Sequence, residues 1–160
     1  MVHRQAHFRL TVGINSHYNK MPFSTRAMTP TDWTNIQYFH MAEFKAPFNM
    51  GAEFVQWLDH VRSQAGVAMR VTSSYRSKQY NQLVGGAEDS AHTDIPCNAV
   101  DVEVMPTPFD PHGNQARYAI VNAALGLGCT RIGLYSNGSI HLDRSDRIAK
   151  VMWHVVDNPA

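Results

Sequence analysis

The chain has 160 residues, 44% of them apolar and 17% charged, which suits a soluble globular domain and excludes a disordered chain. A formal charge of +1 and the lack of a dense Lys/Arg run leave no electrostatic basis for a nucleic-acid partner. No apolar run approaches the ~20 residues that span a bilayer, and MVHRQAHFRLTVGINSHYNK lacks the continuous apolar segment of a secretory signal. The expectation is a single domain over residues 1–160, monomeric and made in the cytoplasm without an export address.

Residues 1–50 read as an irregular lead-in packed on the core. Thr31 is a plausible cap for a short helical turn at Asp32 and Trp33, and His40-Met41-Ala42-Glu43-Phe44 suits another turn. Ala52–Ala65 is the clearest helix: Phe54, Val55, Leu58 and Val61 recur at helical spacing, with Glu53, Gln56, Asp59 and Arg62 opposite. Gly66 supplies its stop. Val67, Met69 and Val71 alternate as a strand that ends at Thr72-Ser73-Ser74. Ser77 can cap a short helix running to about Val84, broken by Gly85-Gly86.

Ala99–Val104 alternates strictly, with Val100, Val102 and Val104 on one face and Asp101 and Glu103 on the other. Burying the valines leaves both carboxylates toward a cleft or solvent. Gln115–Leu127 reads as a third helix, buried through Ile120, Val121, Ala124 and Leu125. Arg131–Tyr135 and Ser139–Arg144 flank Asn137-Gly138, a hairpin signal whose two central residues are expected to have positive φ. In the returning strand Ile140 and Leu142 share one face, His141 and Asp143 the other. These elements predict an α+β fold with a small, mainly antiparallel sheet and helices packed on it.

The chemistry-bearing stretch is Ser90–Asp101, SAHTDIPCNAVD, followed by Ile140-His141-Leu142-Asp143. It offers a histidine and carboxylates close in sequence, then a second histidine that folding must bring in. Two imidazoles and one carboxylate are a common protein ligand set for catalytic zinc, with the fourth position left to water. Most of the nine histidines need no metal: His3, His7 and His17 lie in the lead-in, and His60 is on the polar side of a helix. His40, His112 and His154 have no metal-ligand spacing. Cys97 and Cys129 are in no CxxC pair and read as reduced thiols, although Cys97 lies where it could compete for metal.

Ser73-Ser74-Tyr75-Arg76-Ser77, Tyr80-Asn81, Val84-Gly85-Gly86-Ala87 and Ser90-Ala91-His92 together resemble a signature of the zinc D-alanyl-D-alanine carboxypeptidases and the phage L-alanyl-D-glutamate endopeptidases related to them. Ile132-Gly133-Leu134-Tyr135 and Ile140-His141-Leu142-Asp143 resemble the family's later hairpin, so the likeness runs from about Met41 to Asp143. It implies a hedgehog/DD-peptidase-like fold and zinc held by His92, Asp101 and His141. It also implies a substrate carbonyl or carboxylate held by Arg76, with Ser90 and Tyr135 in the substrate site. The implied activity is hydrolysis of a peptide bond in peptidoglycan stem peptides. The lack of a signal peptide favours an endolysin-like or virion-associated phage endopeptidase over a carboxypeptidase.

The sequence departs from that pattern twice. In SxHxxGxAxD the aspartate follows the histidine by seven positions, but Asp101 follows His92 by nine, and Cys97 replaces the glycine. This reads as a two-residue insertion around Asp94-Ile95-Pro96, with Asp94 the rival ligand. The acid that many relatives carry three residues before the last histidine is Gly138 here, and Ser139 follows it. Asp143 is the favoured proton carrier, with orientation of His141 as its other role, and Glu103 is the alternative base. The missing acid also invites a second reading, a zinc-stabilised binding or structural module without hydrolysis.

Overall fold

The computed structural model describes residues 24–145, 147 and 150–155. The first part of the lead-in, with His3, His7 and His17, lies outside the described residues. The rest of it holds three single helical turns. Pro30–Trp33 forms α1, and its cap is Thr29 rather than the expected Thr31: the Thr29 hydroxyl accepts from Asp32 N, and the Asp32 carboxylate accepts from Thr29 N. Pro30 sits at the first helical position, where its missing N–H costs nothing. A 3-10 turn at Met41–Glu43 is capped by His40 Nδ1, and another follows at Pro47–Asn49.

Helix α2 spans Ala52–Ala65, the range the spacing predicts, and ends at Gly66 with φ 65°. Phe54, Val55, Leu58 and Val61 are buried as expected. Asp59, expected on the polar side, is also buried. Its carboxylate accepts from Gln37 N at 3.0 Å and Tyr38 N at 2.7 Å, which pins the lead-in to the helix. Trp57 extends the buried face, and its indole donates to Leu127 O at 2.9 Å, tying α2 to the end of α4, Asn114–Gly126. In α4 the buried residues are Ile120, Ala123 and Ala124; Val121 is partly buried and Leu125 is 52% exposed, so the buried stripe is rotated from the expected one.

Five strands form one sheet in the order β1-β2-β4-β3-β5: Met69–Ser73, Ala99–Val104, Arg131–Tyr135, Ile140–Asp143 and Val151–Val155 for β1 to β5. All neighbouring pairs are antiparallel except β3 with β5. The fold is α+β, as expected. Strand β5 is absent from the sequence reading, because Val151–Val155 acquires its pairing only by lying parallel to β3. Between β1 and β2 runs α3, Lys78–Leu83, capped by Ser77 Oγ on Tyr80 N, as expected.

The β3–β4 hairpin closes differently from the expectation. Gly138 has φ 93°, but Asn137 is not at positive φ, and Gly138 N donates to Tyr135 O at 3.0 Å. The connection is the three-residue form, a turn followed by one left-handed glycine. Its register sets His141 opposite both Asp101 in β2 and Gly133 in β3.

Candidate active site

The strand alternation that buries Val100, Val102, Ile140 and Leu142 puts Asp101 and His141 side by side on the other face. His92 arrives from a different direction, on a 3-10 turn at Ala91–Thr93 capped by Ser90 Oγ. Three donor atoms converge. His92 Nε2 lies 3.3 Å from Asp101 Oδ1 and 3.2 Å from His141 Nδ1, and that nitrogen lies 2.8 Å from Asp101 Oδ1. Among the described residues, these three form a group able to hold a metal ion.

The donors fit zinc. Ligands on a tetrahedral ion with bonds near 2.0–2.2 Å stand about 3.4 Å apart, close to the His92 separations and somewhat beyond that between Asp101 and His141. Each ligand is also held from behind. His92 Nδ1 donates to Ser74 O at 2.7 Å, which assigns the proton to Nδ1 and leaves the Nε2 lone pair facing the cluster. Arg76 Nη2 donates to Asp101 Oδ2 at 2.8 Å, so one carboxylate oxygen faces the histidines and the other the guanidinium. His141 Nε2 points the other way, toward Asp143 Oδ2 at 3.7 Å.

Charge follows this geometry. Burial alone would raise the Asp101 carboxyl, but the neighbouring His141 and His92 imidazoles outweigh it and hold the group well below the usual carboxylate range. Burial would lower His141, yet Asp101 and Asp143 on its two sides raise it above its ordinary value. Asp143 is likewise held low despite burial, by His141 and by Ser145 N, which donates to its Oδ1 at 2.6 Å. Arg131 Nε donates to its Oδ2 at 3.1 Å.

The triad lines a polar cavity of about 670 Å³. Arg76, Ser90, Tyr135, Glu103 and Asp143 line it as well, so the fold gathers these candidate residues, but not Asp94, at one place. Their positions differ in kind. Glu103 follows Asp101 on the same strand face, accepts from Ser139 Oγ at 3.4 Å and pairs with Arg70. Asp143 is 1% exposed and lies on the Nε2 side of His141, away from the donor cluster. Partial burial, then the Asp101 charge, push the Tyr135 phenol up.

Asp94, the rival ligand, is not in the cluster. It pairs instead with Arg147 Nη1 at 2.7 Å. Nor does Cys97 compete: it is fully buried, its thiol is directed at Ala99 O at 3.4 Å, and burial pushes it up to about 12. Both cysteines are free thiols, as expected.

Four contributors escaped the sequence reading: the Ser74 carbonyl, Arg131, Arg147 and Trp153. Trp153 in β5 packs 5.3 Å from the His141 ring and lies over Gly133, where a Cβ would meet its indole at 2.7 Å. A glycine inside a strand is the signal that was available, since it often marks a close approach of another group.

No curated protein matches the chain. The family described as Peptidase M15 matches residues 7–143, most of its length. Together with the His–Asp–His cluster in a polar cavity, this match shows that the chain belongs to the M15 peptidase family.

Proposed function

We propose that this M15 peptidase is a zinc enzyme that hydrolyses a peptide bond in bacterial peptidoglycan stem peptides, in the manner of a phage endolysin. The observation that carries the reading is the convergence of His92 Nε2, Asp101 Oδ1 and His141 Nδ1 on the wall of a polar cavity. Zinc bound by these donors would polarise the scissile carbonyl and make water nucleophilic near neutral pH.

The chain's own residues divide the remaining work. Arg76 keeps Nη2 on Asp101 and Nε on Ser73 Oγ, so its Nη1, which has no protein partner among the described residues, is the group offered to a substrate carbonyl or carboxylate. Ser90 and Tyr135 supply hydroxyls from the cavity wall. Of the two candidates we favour Glu103 as proton carrier because, although Arg70 pairs with it, its side chain is 31% exposed against 2% for that of Asp143. The Glu103 carboxylate stands beside Ser139, next to the position where Gly138 leaves the usual acid out, and on the same strand face as Asp101. It takes a proton from the attacking water and delivers it to the leaving nitrogen. Asp143, closed in by Arg131 and Ser145, holds the His141 ring in place.

Clearing of a purified peptidoglycan suspension, with and without chelator, tests the function, and mass spectrometry of the fragments names the bond from its new termini. Chelator-sensitive clearing is the expected result. Zinc binding without any new termini would support the competing reading of a non-hydrolytic zinc module.

A further inference from the structure

Arg76 stands between two cavities. Past it, away from the triad, lies a second cavity of about 210 Å³, with Glu43, Lys45, Ser74 and Tyr80 in its wall. Both cavities share Thr72, Ser73, Arg76 and Val84, so their walls are continuous at the end of β1. That strand is the edge of the sheet: among the described residues it pairs only with β2, which leaves its outer side for an extended chain.

Lys45 is a prepared cation in this second cavity. Its backbone N donates to Ser74 Oγ and its O accepts from the same hydroxyl, both at 2.9 Å, so the loop is stitched to the residue after β1. Its ammonium lies 3.7 Å from the centroid of the Tyr80 ring. Among the described residues no carboxylate forms an ion pair with it. Glu43, the acid in the same wall, is already engaged: Oε1 accepts from His40 N at 2.8 Å, and Oε2 lies 3.8 Å from Arg62 Nη1.

We propose that the second cavity is a subsite for an acidic residue on a peptide that continues past the scissile bond, so that the enzyme acts on internal bonds. The inference rests on the peptidase reading above. A site for a terminal residue alone needs a wall beyond the residue that holds its carboxylate. Here the space continues along the wall that Arg76 shares and offers, resting over the Tyr80 ring, the exposed Lys45 ammonium, whose three donors suit a carboxylate.

The test uses a stem-peptide core, the same core extended by two residues ending in glutamate at its amino or carboxyl end, and the glutamine counterparts. Binding to the zinc-loaded protein is measured for the parent chain, Lys45→Gln and Lys45→Glu. One glutamate peptide is expected to bind the parent about 10- to 100-fold tighter than its glutamine counterpart. Lys45→Gln should abolish that preference and Lys45→Glu should reverse it, with zinc content and binding of the unextended core unchanged. Equal affinity for both members of each pair in the parent, or a preference that survives Lys45→Gln, overturns the subsite. Absence of chelator-sensitive cleavage of every peptide would overturn the peptidase reading instead, and the binding preference remains measurable in that case.

Discussion

Arg76 Nη2 is 2.8 Å from Asp101 Oδ2, while the other oxygen of the same carboxylate contacts both histidines. A residue expected to serve the substrate therefore also orients a metal ligand. Arg76→Ala should lower activity and weaken zinc binding by about 10- to 100-fold, the usual cost of losing a group that orients a ligand. Arg76→Lys should restore little of either, since an ammonium lacks the planar fork that spans Ser73 and Asp101. Zinc titrations of the three proteins check this, and full zinc affinity in the alanine variant would confine Arg76 to the substrate.

One zinc per chain is expected, lost in His141→Ala. Because the metal binds only the folded chain, its removal should lower the melting temperature of the parent and leave that of the variant unchanged. Metal analysis and thermal unfolding with chelator give both values.

Asp143→Asn and Glu103→Gln should fail in different ways. The first removes the carboxylate beside His141 Nε2 and should weaken zinc binding by about 10- to 100-fold. The second should keep zinc while turnover falls by roughly 10²–10⁴-fold. Steady-state rates at saturating zinc separate them. An inactive Asp143 variant beside a fully active Glu103 variant would return the proton-carrying role to Asp143.

Acid should release the metal through His141 before Asp101. In the metal-free protein His141 is raised above its ordinary value of about 6.5, whereas Asp101 stays ionised to well below the usual carboxylate range. The protonated ring stabilises the metal-free fold below about pH 6.5, and that contribution is lost as the pH rises through the higher folded value. Zinc needs the neutral ring, so its affinity moves the other way. The gap between the melting temperatures with and without zinc should therefore widen between about pH 5 and about pH 8.

The sequence alone determined the parts governed by local periodicity. The 3.6-residue spacing of Phe54, Val55, Leu58 and Val61 places α2 with its observed bounds, and the two-residue alternation in β2 and β4 puts Asp101 and His141 opposite the buried valine, isoleucine and leucine faces. The sequence favours Asp101 as the acidic partner of His92, with Asp94 its rival. Only the tertiary structure decided which carboxylate meets the histidines, because the β2–β4 register joins residues forty positions apart. The same holds for the Ser74 carbonyl behind His92, for Asp143 on the far nitrogen of His141, and for Trp153, which reaches the site through a parallel pairing of β5 with β3. Alternation tells which face a side chain occupies; which nitrogen of a ring, or which of two carboxylates on that face, meets its partner depends on packing between distant segments.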